Sequence, residues 1–120
     1  MHEAGDYNSR MKLPNGERAL VEDEKLLGYV LNQAHPVGRH HALLFWKLLG
    51  IGVANVHLLK QSLESAAKDC DVFRVRQAPY GDKYEMRFEM EGPGGRRMVR
   101  AVWIRESGQD KPRLVTCFVE

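Results

Sequence analysis

Apolar positions recur along this chain with two different spacings, and the change between them divides it into two halves. Up to about residue 68 the spacing is helical. Asp23 is placed to cap a first helix running through Glu24 to Leu31, with acids at its start and Leu26, Leu27, Val30 and Leu31 as its apolar stripe. Asn32 to Gly38 is a loop carrying Pro36. A second helix is expected from about Arg39 to Leu49, with Gly50 as its stop, and a third from about Val53 to Lys68, with Val56, Leu59, Leu63 and Ala66 on one face. From Val72 onward the period is two. Residues 72–76, 84–90, 98–104 and 114–119 read as four strands. Pro79-Tyr80-Gly81-Asp82, Gly92-Pro93-Gly94-Gly95 and Ser107-Gly108-Gln109-Asp110 are the turns between them, short enough to favour an antiparallel meander. Helices first and strands afterwards predict an α+β fold, with three N-terminal helices packed on one face of a C-terminal four-stranded sheet.

Ahead of the first helix the pattern is weaker. Residues 1–12 are polar and aperiodic and read as a flexible tail, leaving 13–120 as a single domain. Leu13-Pro14-Asn15-Gly16 is a turn signal, and Ala19-Leu20-Val21 suits a short edge strand.

Alternation also sorts the strand residues onto two faces. Tyr84, Met86, Phe88 and Met90 should meet the helices. If Met98 pairs near Met90, then Arg100, Val102 and Ile104 join that covered side, and Leu114, Thr116 and Phe118 continue it. The opposite side would carry Arg74, Arg76, Glu85, Arg87, Glu89 and Trp103. A slip of one residue would exchange the faces of a whole strand.

Composition sets the bounds on this picture. A chain of 120 residues with 43% apolar and 28% charged positions can bury one core without metal or disulfide staples. A net charge of +2, from 18 basic and 16 acidic residues, is too small to indicate nucleic acid by itself. Two cysteines do not form a disulfide scaffold. Cys117 alternates with Val115 and Val119 as a small buried hydrophobe, and reduced thiols and a cytoplasmic location are expected. No apolar run has transmembrane length and no secretion signal is visible, so no membrane partner is expected.

The densest chemistry lies where the second helix begins. His35-Pro36-Val37-Gly38-Arg39-His40-His41 brings three imidazoles and a guanidinium together. Histidine titrates nearest physiological pH, so His40 or His41 could serve as general base or acid, with His35 and Arg39 as weaker candidates. The same segment also reads as a polar loop that caps the helix. Its spacing is not that of a metal motif, and neither metal nor cofactor is expected. His57 reads as a flanking or satisfied histidine of the third helix. Gly50-Ile51-Gly52 and Gly92-Pro93-Gly94-Gly95 read as a helix stop and a hairpin turn, not as phosphate loops.

On the strands, Arg74, Arg76 and Arg87 could contact phosphates and Trp103 could offer a stacking plane. In the plainer reading, Glu85 and Glu89 pair crosswise with those arginines on a solvated face. Arg100 sits in an otherwise apolar strand and needs a buried acid, carbonyls or an anion cleft. Thr116 is the one hydroxyl of its strand. If His40, Arg100 and Thr116 share a cleft, the set is base, cation and hydroxyl donor, suited to RNA cleavage through the neighbouring 2′-hydroxyl.

Several motifs fall in order along the chain: Leu13-Pro14-Asn15, Lys25-Leu26-Leu27-Gly28-Tyr29-Val30-Leu31-Asn32, His35-Pro36-Val37-Gly38-Arg39-His40, Trp103, and Pro112-Arg113-Leu114-Val115-Thr116. Over residues 13 to 119 the chain resembles an uncharacterised bacterial domain family of unknown function. The outline is also, more loosely, similar to the barnase, EndoU, colicin and RelE type nucleases, many of them toxins. That likeness implies a metal-independent ribonuclease or toxin-like nuclease acting on RNA and held by an immunity protein or antitoxin. His40, Arg100 and Thr116 would be its base, phosphate clamp and hydroxyl partner. Two other readings stand beside it: a non-catalytic module that binds protein or nucleic acid, and a structural domain that self-associates through Trp103, Val115 and Val119.

Overall fold

A computed structural model describes residues 11–120. Most of the expected tail lies outside the described residues. At its end, Val72 N–H donates to the Met11 carbonyl at 2.8 Å, and Lys12 pairs with Asp71 at 2.8 Å.

A short 3-10 turn, Gly16–Arg18, and three longer helical segments precede four strands. Helix α1, residues 23–30, is one α-turn, Asp23–Lys25, that widens into π-type turns over Leu26–Val30. Helix α2, residues 39–49, does the same, from Arg39–Leu44 to Phe45–Leu49. It stops at Gly50, whose φ of 69° lies in the left-handed region that a glycine adopts without penalty. Helix α3, Val56–Asp69, follows a short 3-10 turn, Val53–Asn55. Asp23 does not cap α1. It is the first helical residue, and its carboxylate pairs with Lys60 of α3 at 2.9 Å. Ala19 to Val21 form no strand of their own, and Leu20 makes a single parallel bridge to Arg113.

Strands β1 (Val72–Ala78), β2 (Gly81–Gly92), β3 (Gly95–Glu106) and β4 (Arg113–Val119) form an antiparallel meander in the order β1-β2-β3-β4. The helices pack on one face. Leu26, Phe45, Leu49, Leu59 and Leu63 from the helices meet Met86, Val99, Trp103, Leu114 and Cys117 from the sheet in one core. Each such side chain contributes about 1.5–3 kcal/mol of burial. Leu27, placed on the α1 stripe by spacing, is exposed because Leu26 and Val30 already take the inward direction.

One contact fixes how α2 meets the sheet. The Gly94 N–H in the β2–β3 turn donates to the Leu49 carbonyl at 2.9 Å. A methyl group on Gly92 would run into that same carbonyl oxygen. The glycine-rich turn is therefore the seat for the end of α2.

The register corrects the face assignment. Gly92 pairs with Gly95, which sets Met90 against Arg97, Phe88 against Val99, Met86 against Ala101 and Tyr84 against Trp103. Val99, Ala101 and Trp103 lie under the helices, and Arg100, Val102 and Ile104 lie on the opposite, open face. Both phases of β3 are largely apolar, so alternation alone could not choose between them; the two-residue turn did. On β4 a bulge leaves Val115 unpaired between Leu114 and Thr116. Leu114, Cys117 and Val119 consequently face the core while Thr116 and Phe118 face outward.

Candidate functional site

The open face of the sheet is built from cross-strand rows. One runs Arg74, Glu85, Val102, Thr116 and the next runs Arg87, Arg100, Phe118. Both follow from period-two alternation once the turns set the register. With Arg76 two residues on from Arg74 and Glu120 just past β4, these rows bring four arginines and two carboxylates onto one surface.

Glu85 is the inner hub. It is buried, and its carboxylate lies 2.8 Å from Arg76, 3.5 Å from Arg74 and 3.6 Å from Arg100. Three guanidinium groups offset the cost of burying one carboxylate. Glu120 is the outer hub: Arg87 Nε donates to it at 2.8 Å and Arg100 Nε at 2.7 Å. The hydrogen bond from Arg87 is the largest influence and draws its carboxyl below the usual carboxylate range; desolvation opposes it, and the hydrogen bond from Arg100 with the charges of both guanidinium groups keeps the balance downward. Four guanidinium groups on two carboxylates leave the cluster with a surplus of two positive charges. The carboxylates also restrain the guanidinium forks in place. The side chains of Arg74, Arg76 and Arg87 remain 52%, 66% and 50% exposed, whereas that of Arg100 is 30% exposed.

Aromatic rings flank this lattice. The Arg100 guanidinium lies 5.2 Å from the centre of the Phe73 ring and 6.0 Å from that of Phe118. Beyond Phe118, at the β4 edge, stands His41 of α2, with ring centres 5.1 Å apart. His40 is next to it at 5.8 Å. A line of contacts thus runs from the α2 imidazoles through Phe118 to Arg100 and Arg87.

The predicted site residues separate accordingly. Arg74, Arg76, Arg87, Arg100 and Thr116 share the open face, and it is His41, more than His40, that reaches it. Arg39 is exposed in the first turn of α2. His35 is drawn into the loop itself: its Nδ1 accepts the N–H groups of Val37 and Gly38, each at 3.0 Å. Trp103 is a correction. It is fully buried under the helices with its indole N–H unpaired, so it offers no plane to a base. Of the three residues expected to carry self-association, Trp103 and Val119 are buried under the helices and Val115 alone is half-exposed. Arg100 is also corrected, from the covered face to the open one, where carboxylates already hold it. His57 is exposed on α3.

Sequence reasoning missed Glu120, Phe73 and Phe118. Glu120 lies past the end of the alternating run, and Phe73 sits at a β1 irregularity opposite Met86 that no period reveals. Among the described residues no three His, Cys, Asp or Glu side chains gather as a metal ion would require. Burial raises both thiols, Cys70 and, far more, Cys117. No single helix among the described residues is long and apolar enough to cross a membrane.

A family model for DUF6883, a domain of unknown function, matches residues 12–120. The chain belongs to that family. No curated protein matches it. In fold the DUF6883 domain is similar to a chain from a solved contact-dependent growth inhibition toxin–immunity protein complex of Klebsiella pneumoniae 342. The TM-score is 0.68 at 17% identity, over 85% of this chain and 100% of that one. At that identity the likeness is one of fold.

Proposed function

We propose that this DUF6883 domain is a metal-independent ribonuclease of toxin type, whose open sheet face holds RNA and whose α2 imidazoles cut it. The observation that carries this reading is the line from His40 and His41 through Phe118 to the arginine lattice. A phosphodiester backbone laid on Arg74, Arg76 and Arg87 meets outward guanidinium groups that need little ordering on binding. Phe118 and Phe73 are within reach of an unstacked base.

At the β4 edge one imidazole accepts the proton of the 2′-hydroxyl as its oxygen bonds to phosphorus. The other, as imidazolium, protonates the 5′-oxygen as the phosphorus–oxygen bond breaks. A 2′,3′-cyclic phosphate and a 5′-hydroxyl result, with no external reactant. His41 is the nearer of the two to the lattice, with His40 beside it. Arg100 adds positive charge along the path, and Thr116, one row away, is a hydrogen-bond donor for a phosphate oxygen. The similar fold in a toxin–immunity protein complex supports a protein partner. An immunity protein with an acidic surface would suit this arginine face.

One feature favours a second reading. Arg100 is already held by Glu120 and Glu85, as in a lattice built to bind without cutting. A cleavage assay on tRNA and mRNA near neutral pH, metal-free, separates the two. Cleavage by the wild type that falls at least about a hundredfold in His40→Ala or His41→Ala supports catalysis. RNA retained but left intact supports the binding module. If RNA is neither retained nor cut, RNA is not the ligand of this face.

A further inference from the structure

The loop ahead of α2 contains a histidine whose work is done inside the loop. We propose that His35 is a positioning residue, a side-chain staple that sets the first turn of α2 and so places His40 and His41 at the sheet edge; this rests on the catalytic reading of that edge.

The geometry is closed on three sides. The Nδ1 atom of His35 accepts two consecutive backbone N–H groups, from Val37 and Gly38, both at 3.0 Å. The His35 carbonyl accepts the Arg39 N–H at 3.1 Å, and the Gly38 carbonyl accepts that of Ala42, the start of the helical ladder. From α1, Tyr29 closes the other side. Its ring meets the His35 imidazole edge-on, with centres 4.8 Å apart. A Cβ on Gly38 would come within 3.0 Å of the Tyr29 ring and 3.2 Å of its carbonyl. Asn32 ties the loop back as well, taking the Ala34 N–H at 2.9 Å and donating to the Gly28 carbonyl at 3.1 Å.

An Nδ1 that accepts N–H donors carries no hydrogen itself, which places the ring hydrogen on Nε2. His35 is thereby committed as an acceptor to the backbone. The first turn of α2 carries His40 and His41, and His41 ends against Phe118. Removing the staple frees two N–H groups at the start of α2 and with them the direction in which those imidazoles point.

The test is an NMR comparison of wild type, His35→Ala, His35→Asn and His35→Gln, run with the RNA cleavage assay. Asn places its Oδ1 where Nδ1 stands and can take N–H groups two and three residues on; Gln is too long to do so. In His35→Ala, amide exchange at Val37 and Gly38 should quicken about tenfold or more, and the His41 ring should part from that of Phe118. His35→Asn should reverse both changes, and His35→Gln neither. In the wild type the His35 ring nitrogens should show the Nε2–H tautomer. His41 still seated against Phe118 in His35→Ala, or equal behaviour of Asn and Gln, overturns the proposal. Should His35→Ala not fold, the Asn and Gln pair decides it alone. If the wild type cuts no RNA, the catalytic reading fails while the spectra still decide the staple. If it cuts and His35→Ala cuts as fast, the positioning role fails.

Discussion

Glu120 and Trp103 show how single residues take their character from what faces them. A carboxylate between two guanidinium groups is stabilised in its ionised form, so its contribution to stability is present in full above the ordinary carboxylate range. It is lost as the pH falls through the lowered native value. The melting temperature of the wild type should exceed that of Glu120→Gln at pH 7, and the gap should close as the pH drops below about 4. A gap that stays constant with pH would mean that the pair carries no net stabilisation. Trp103 gives an optical test of the register. The chain has two tryptophans, and Trp46 is 53% exposed. A Trp46→Phe variant should therefore emit at short wavelength and resist quenching by iodide. Red, quenchable emission would put Trp103 on the open face.

Among the elements, the joint between α2 and the β2–β3 turn matters most, because it anchors the far end of the helix that carries the histidines. The Leu49 carbonyl and the Gly94 N–H make that joint, and Gly92 leaves the room for it. Gly92→Ala should destabilise the fold by about 1–3 kcal/mol, read by urea denaturation, since the methyl must displace backbone and not a flexible side-chain tip. A neutral result would show that the joint slides freely. The helices themselves were legible from spacing. The stop at Gly50 and the buried set Leu59, Leu63 and Ala66 stand where the 3.6-residue period puts them. The π-type widening of α1 and α2 was not legible, because it arises from how the last turns settle on the sheet.

At the scale of the molecule, one face of the sheet is sealed by helices and the other gathers charge. A net charge of +2 over the chain conceals a local surplus of the same size within a few residues of Glu85 and Glu120. Replacing Arg74 and Arg76 together by Ala should weaken RNA binding about equally for unrelated sequences. It should also lower the dependence of log K on log salt by about 0.7 for each phosphate no longer neutralised, measured by filter binding at several salt concentrations. Lys68→Ala, on the outer side of α3, is the control and should change little. Equal weakening by both variants would place RNA elsewhere.

The linear order of residues was enough to settle the class of fold, the three helices, the four strands and their turns, because each rests on local period and local turn chemistry. It was enough, too, to put Arg74, Arg76, Glu85 and Arg87 on one side, where charge and apolar residues alternate cleanly. Folding in three dimensions decided which side of β3 faces the core, since Arg100, Val102 and Ile104 compete there with Val99, Ala101 and Trp103 on nearly equal terms and only pairing across the turn breaks the tie. It also decided that His41 meets Phe118 and that Glu120 gathers two arginines. Those pairings join residues far apart in the chain, and no period within either segment encodes them.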